Sequence, residues 1–339
     1  MDKQGMKHSI PSPTPKVSII MNCLNSAQYL REAIDSIYAQ TFHDWEIIFW
    51  DNASSDDSPA IAKSYNTRLR YFRNPTTVPL GQARNMALRE ARGEYIAFLD
   101  CDDRWLPTKL EKQIPLFEAN PRAGLVFSDA IDFYQSDGTS ITHFKNVRMR
   151  PPRGKIFSFL LTHLVIPMPT AVLRARSLHE QPEWFDPAFQ ICTDYDLFLR
   201  IAHDWECDFV DEPLAMYRVH ESTMERLHKN IAIELSKTLD KLHRIYPNFD
   251  NYFKREIRQC RRMIEFQEGK SLWRNSETKA ARIIFTRHII FPKFFCALVV
   301  SYLPYGKIMQ ILNAFRRSSR ESLNEMMTDL NNSGTGTKQ

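Results

Sequence analysis

Tyr95-Ile96-Ala97-Phe98-Leu99-Asp100-Cys101-Asp102-Asp103 joins an uninterrupted apolar run to three carboxylates in four residues. The run has the length and composition of a buried strand. Carboxylates crowded at its end repel one another and are costly unless a positive charge offsets them. Two readings account for them. A hard divalent cation shared with a diphosphate is one, because Mg²⁺ and Mn²⁺ prefer oxygen ligands and α/β sheets bind ligands at strand ends. A solvated turn whose Asp residues cap a helix near Trp105 is the other.

The flanking sequence extends the pattern. Val17-Ser18-Ile19-Ile20-Met21 reads as a first buried strand and Trp45-Glu46-Ile47-Ile48-Phe49-Trp50 as a second. Between them Leu30, Ile34, Ile37 and Tyr38 recur at helical spacing, which predicts an amphipathic helix over 27–40 with Ser26 as N-cap. A helix over 60–65, a strand over 69–72 and a helix opened by Gly81 lead to the strand that ends at Asp100. Polar clusters at 22–25, 51–57 and 100–103 each follow a strand. In a parallel sheet those strand ends share one edge, so loops distant in sequence line one crevice.

Downstream, the pattern predicts a helix from Pro107 to about Glu118 and strands over 124–128 and 130–134. A turn at Asp137-Gly138, a basic Pro-rich loop over 143–155, a strand over 170–173, a helix over 194–203 and a strand over 211–220 follow. From about Thr223 the pattern is helical. The expected organisation is a flexible tail (1–15), an α/β domain (16–222), a basic helical region (223–330) and a disordered polar tail (331–339). The fold class is α/β, with a mostly parallel central sheet flanked by helices.

Composition narrows the classes. The chain is 43% hydrophobic and 25% charged, which is globular. The six cysteines are scattered, with no CxxC pair, a usage that reads as reduced thiols in a cytoplasmic protein. Residues 254–320 hold 15 Lys and Arg against 4 Asp and Glu, so the net charge of +5 belongs to this region and the remainder is acidic.

In order along the chain stand Val17-Ser18-Ile19-Ile20, Asn25, Tyr29-Leu30, Gln40-Thr41-Phe42, Asp51-Asn52-Ala53-Ser54-Ser55-Asp56 and Gly81 with Ala83-Arg84-Asn85. Gly93 to Asp100, Phe185-Asp186, Thr193-Asp194-Tyr195-Asp196-Leu197-Phe198-Leu199-Arg200 and Tyr217-Arg218-Val219-His220 complete the series. This ordered set resembles the family 2 glycosyltransferases of the GT-A fold, from about Lys16 to His220, with Asp100-Cys101-Asp102 as the family's DXD motif. The resemblance implies an inverting transfer from a nucleotide-diphospho-sugar with Mn²⁺ or Mg²⁺. It implies metal contact through Asp102, with Asp100 toward the ribose or the metal's water shell, Asp103 in support, and His220 as a further ligand. It sets Arg84 on a phosphate or the nucleotide, and the loops of Asn22, Asn25, Asp51 and Asn52 around the base.

Asn22 and Asn52 depart from the family's usual residues, which keeps uracil, guanine and thymine all open as bases. The family's general base is the Asp of an acidic pair before a helix. Here the pair reads Thr193-Asp194, which leaves Asp194 as the base and Asp196 as the alternative. The departures also keep open a catalytically silent nucleotide- or glycan-binding relative. A nucleotidyltransferase shares the carboxylates, but with ten glycines in 339 residues the chain has no Gly-rich phosphate loop.

The C-terminal region is apolar and basic. Its longest uncharged run, residues 294–306, is shorter than the roughly 20 residues a spanning helix needs. It reads as lying on an anionic membrane surface, peripheral on the inner face of the membrane. That would suit a glycan or lipid-linked acceptor; the alternative is a helical cap with a solvated basic face. No nucleic-acid-binding module accompanies the charge.

Overall fold

The structure, a computed structural model, describes residues 14–308 and 310, with residues 221–229 described by their backbone. The expectations for residues 1–13 and for the tail from 331 lie outside the described residues. The chain forms two compact units, one running up to Asn230 and including Lys237–Ile257, the other made of Ile231–Ser236 and the chain from Arg258.

The first unit holds a nine-stranded sheet. Its strands are β1 (Val17–Cys23), β2 (Trp45–Asp51), β3 (Leu69–Arg73), β4 (Tyr95–Phe98), β5 (Arg104–Trp105), β6 (Ala123–Tyr134), β7 (Thr139–Thr142), β8 (Val172–Arg174) and β9 (Glu206–Val219). The order is β3-β2-β1-β4-β8-β6-β9-β5, with β7 on the side of β6. β1 to β4 are mutually parallel, as the continuous apolar runs of β1, β2 and β4 predict for strands buried on both faces, with β3 at the edge. Beyond β4 the sheet is mixed: β8 is antiparallel to β4 and β6, β9 is parallel to β6, and β5 is antiparallel to β9.

Register decides where the loops emerge. Cys23 lies opposite Asp51, and Ile20 opposite Phe98. The Leu99 N–H extends the β1–β4 ladder to the Ile20 carbonyl at 3.1 Å, so the acidic segment leaves the sheet beside Asn22 and Cys23. At the opposite edge the buried Ser18 hydroxyl donates to Glu46 (2.8 Å) and accepts from the Gly93 N–H (2.8 Å). A Cβ on Gly93 would lie 2.4 Å from the Ser18 nitrogen, so only glycine fits there.

The helix Ala27–Tyr38 buries Leu30, Ala33, Ile34 and Ile37, as its spacing predicts. The core beneath it joins these to Ile19, Met21, Ile47, Phe49, Ala97 and Leu99. Each fully buried aliphatic or aromatic side chain contributes on the order of 1.5–3 kcal/mol.

Two local expectations are corrected. Residues 124–128 and 130–134 are one strand, β6, whose register against β9 slips on both sides of Asp129, where the extra residues belong to β9. The Asp129 carboxylate accepts the N–H groups of Ala130 (2.8 Å) and Phe144 (2.9 Å), which satisfies the backbone where the ladder slips. The 143–155 loop contains a helical turn, His143–Asn146, pinned by Asp132 through His143 (2.9 Å) and Asn146 (2.7 Å).

The second unit contains the helices Lys254–Arg274, Thr278–Arg287 and Pro292–Val300, apart from the first four residues of the first of them. Its core is Trp273, Ala281, Phe285, Phe294, Ala297 and Ile308. Among the described residues no helix is long and apolar enough to cross a membrane. Five of the six cysteines are buried, and Cys296 in this unit is exposed.

Candidate active site

The ends of β1 and β2 are sewn together by side chain to backbone bonds. The Asn25 N–H donates to the Ser54 hydroxyl (3.0 Å), and Asn25 Oδ1 accepts the Ser55 N–H (2.8 Å). Asn25 sits in the left-handed region with φ 53°, a conformation Asn tolerates. Asp51 is fully buried and accepts from the Tyr71 hydroxyl (2.6 Å), the Ser54 N–H (2.8 Å) and the Arg73 guanidinium.

Asn52 donates to the Val78 carbonyl (2.8 Å) and accepts from Asn74 (2.9 Å) and the Val78 N–H (3.1 Å). Both side chains therefore hold the 51–58 and 74–78 loops in shape. Asn22 differs: its amide nitrogen is buried with no hydrogen-bond partner. A buried donor left unsatisfied is costly, and an incoming acceptor would relieve it.

The three acids after β4 diverge within a turn. Cys101, between two of them, turns inward, and its thiol donates to the Asn22 carbonyl at 3.3 Å. Asp100 and Asp102 stay partly exposed, while Asp103 is buried at 3% exposure. Asp103 Oδ1 accepts the Arg218 N–H (2.8 Å), and its Oδ2 is buried without a partner. Arg218 also reaches the Asp102 carbonyl (2.8 Å) and Glu32 (3.0 Å), so β9 clamps the acidic turn. Burial, then the charges of Asp102 and Asp100, push the Asp103 carboxyl well above its ordinary range. Burial and the Asp100 charge raise Asp102 as well. His220 Nε2 stands 3.1 Å from Asp102 Oδ2, and its ring packs on Tyr29 at 5.7 Å.

Arg84 links this cluster to the chain around Asp194. It lies buried on the helix Leu80–Arg89, where one nitrogen donates to Asp100 (3.0 Å) and another to the Thr193 hydroxyl (2.9 Å). Gly81, three residues before it, packs against the Asp186 backbone so closely that an added Cβ would sit 2.9 Å from the carbonyl oxygen.

Asp194 opens the helix Thr193–Asp204 half-buried, accepting the Tyr195 N–H (2.8 Å). Burial raises its carboxyl to about 6 against the opposing pull of Arg84. Asp196 points elsewhere: fully buried, it pairs with Arg200 (2.8 Å) and Lys241 (3.0 Å).

The charges of four predicted acids act on one phenol. Tyr217 is held far above its usual range by burial first, then by the charges of Asp103, Asp100, Asp194 and Asp102. Sequence alone gives Tyr217, Arg218 and Thr193 no site role. The signal available was the Tyr217-Arg218-Val219-His220 segment itself, whose alternation sends Arg218 and His220 to the acids from one strand end.

Among the described residues no group of three or more His, Cys, Asp and Glu side chains converges to hold a metal ion alone. The donor set is instead two partly exposed carboxylates with a histidine beside them. That fits a hard cation that keeps waters and takes further oxygens from a substrate phosphate, and it does not fit a closed structural site.

The chain matches the glycosyl transferase family 2 model over residues 18–181. An uncharacterized glycosyltransferase of Methanocaldococcus jannaschii is 30% identical over 295 residues, covering 85% of this chain and 88% of the relative. Among solved structures, the mannosyltransferase PcManGT from Pyrobaculum calidifontis in complex with GDP-Man and Mn²⁺ superposes with a TM-score of 0.59 at 17% identity. The superposition covers 86% of this chain and 85% of that one. S. aureus TarS 1–349 in complex with UDP gives 0.51 at 16% identity, over 85% and 89% of the two chains. Those identities speak for the fold alone, the GT-A type that the motif order implies. The relative aligned along most of both lengths carries the stronger statement: this chain belongs to glycosyl transferase family 2 and is a glycosyltransferase.

Proposed function

We propose that the protein moves a sugar from a nucleotide-diphospho-sugar to an acceptor hydroxyl with inversion at the anomeric carbon. The observation that carries this reading is Arg84, one buried cation bonded to Asp100 on one side and to Thr193, next to Asp194, on the other. It couples the acids suited to the diphosphate with the carboxylate suited to the acceptor, across a short span.

Asp194 takes the acceptor's proton. A carboxyl raised to about 6 is a stronger base than an ordinary Asp and is still ionised at neutral pH. Asp102 and Asp100 would hold a divalent cation at the diphosphate end, with Asp103 and His220 fixing the acidic turn. Bound there, Mn²⁺ or Mg²⁺ supplies charge neutralisation for the leaving diphosphate. Arg84 meets the same negative charge directly. The unpartnered Asn22 amide faces the base, while Asp51 and Asn52 shape the loop around it. The GDP-Man, Mn²⁺ and UDP found with the two solved neighbours support this donor class. The acceptor is a growing or lipid-linked glycan of a cell-surface polysaccharide.

The test is nucleotide release from a panel of UDP-, GDP- and dTDP-sugars with Mn²⁺ or Mg²⁺. The expected result is release from one base class, lost with EDTA, and a product of inverted anomeric configuration. Retained configuration, or turnover indifferent to EDTA, would refute the reading.

A further inference from the structure

The helix Pro292–Val300 turns Phe294 and Ala297 into the core of the second unit. Its other face carries Phe295 and Val299, 53% and 54% exposed, one helical turn apart. Tyr302 (68%) and Leu303 (49%) continue that face, and Ile290 (84%) precedes it. Isolated exposed apolar residues are ordinary; a run of five around one nine-residue helix is not.

Along the segment itself the charge has a single sign, and Glu265 of the preceding helix is bonded to His288. Residues 278–310 contain five Lys and Arg and no Asp or Glu. Arg287 and Lys293 precede the apolar stripe and Lys307 follows it, all three exposed. Arg282 lies 3.9 Å over the Tyr302 ring, a ring that presents an apolar body and a polar tip.

We infer that this face rests on an anionic lipid bilayer, with Phe295, Val299 and Tyr302 at the headgroup boundary and the cations among the phosphates. A second copy of the chain is a poor occupant, because pairing two such faces brings Arg287, Lys293 and Lys307 of each copy together with no carboxylate in residues 278–310 to meet them. At nine residues the helix lies along the surface and does not cross it. The inference goes beyond the transfer reaction and does not depend on it.

Co-sedimentation of the full chain with vesicles tests it, using phosphatidylcholine alone or with about a third phosphatidylglycerol. Binding is expected on the anionic vesicles only, weakening as salt rises. The triple substitution Ile290→Ser, Phe295→Ser, Val299→Ser should lower partitioning by at least about ten-fold. Arg287→Glu with Lys307→Glu, both on exposed side chains, should lower it by a similar factor and flatten the salt dependence. Nucleotide release should be unchanged in both variants. Failure of the wild type to bind anionic vesicles, or equal binding by either folded variant, overturns the inference. So does a dimer in sedimentation velocity that the triple substitution dissolves.

Discussion

Asp194 and Asp196 stand two residues apart on one helix, and their surroundings divide their roles. Asp196 is held by Arg200 and Lys241, and protonating or removing it would leave two buried cations short of a partner. Asp194 has no ion pair among the described residues and keeps a raised carboxyl. Asp194→Asn should therefore lower kcat by about 10²–10⁴-fold while nucleotide affinity, read by calorimetry, stays close to wild type. Activity should also fall with acidity. A base works ionised, so kcat/KM should decline as pH drops through about 6, or lower where a bound cation adds its pull. An acidic limb centred above pH 7 would exclude Asp194.

The same shift has a stability sign. A carboxyl whose folded value exceeds its unfolded one opposes folding once it ionises. The Asn variant should be the more stable protein at pH 7, with the gap closing below pH 4, as denaturant midpoints would show.

At the scale of elements, legibility followed burial. β1, β2 and β4 were readable because parallel strands covered on both faces must be apolar throughout. β8 has three residues, and its antiparallel pairing with β4 and β6 is set by partners distant in sequence. Asp129 reads as a strand break because a carboxylate inside a strand contradicts the strand pattern until the Phe144 N–H uses it, opposite the slip in β9. The site divided in the same way. The acids were legible as residue types at strand ends. That Asp51 and Asn52 are occupied by Tyr71, Arg73, Asn74 and Val78 depends on β3 and the loop after it, which no spacing connects to them.

Two element-level outcomes follow. Gly93→Ala should cost about 1–3 kcal/mol in urea denaturation by driving β4 off β1, and unaltered stability would contradict the tight edge. Lys241, from the helix Glu221–Ile245, meets Glu183, Asp186 and Asp196. Lys241→Met leaves Asp196 with Arg200 alone and should cost about 3–5 kcal/mol by the same measurement.

Across the whole molecule, the acids after β4 are brought together at an electrostatic cost. A ligand that neutralises them should recover that cost as resistance to unfolding. At saturating Mn²⁺ the cognate nucleoside diphosphate should raise Tm by a further amount matching about 2.7 kcal/mol when it is a hundred-fold above its Kd. Either component alone should do less, and EDTA should reverse the shift. A Tm that ignores the pair would mean that the acidic turn meets neither.

Cys296 offers a use that needs no engineering. Five cysteines lie out of reach of solvent, and Cys296 sits beside Phe295 on the exposed helix face. A maleimide carrying an environment-sensitive fluorophore should modify the native chain at one position. Its emission would then report, in real time and on unmodified sequence, when that face exchanges water for hydrocarbon.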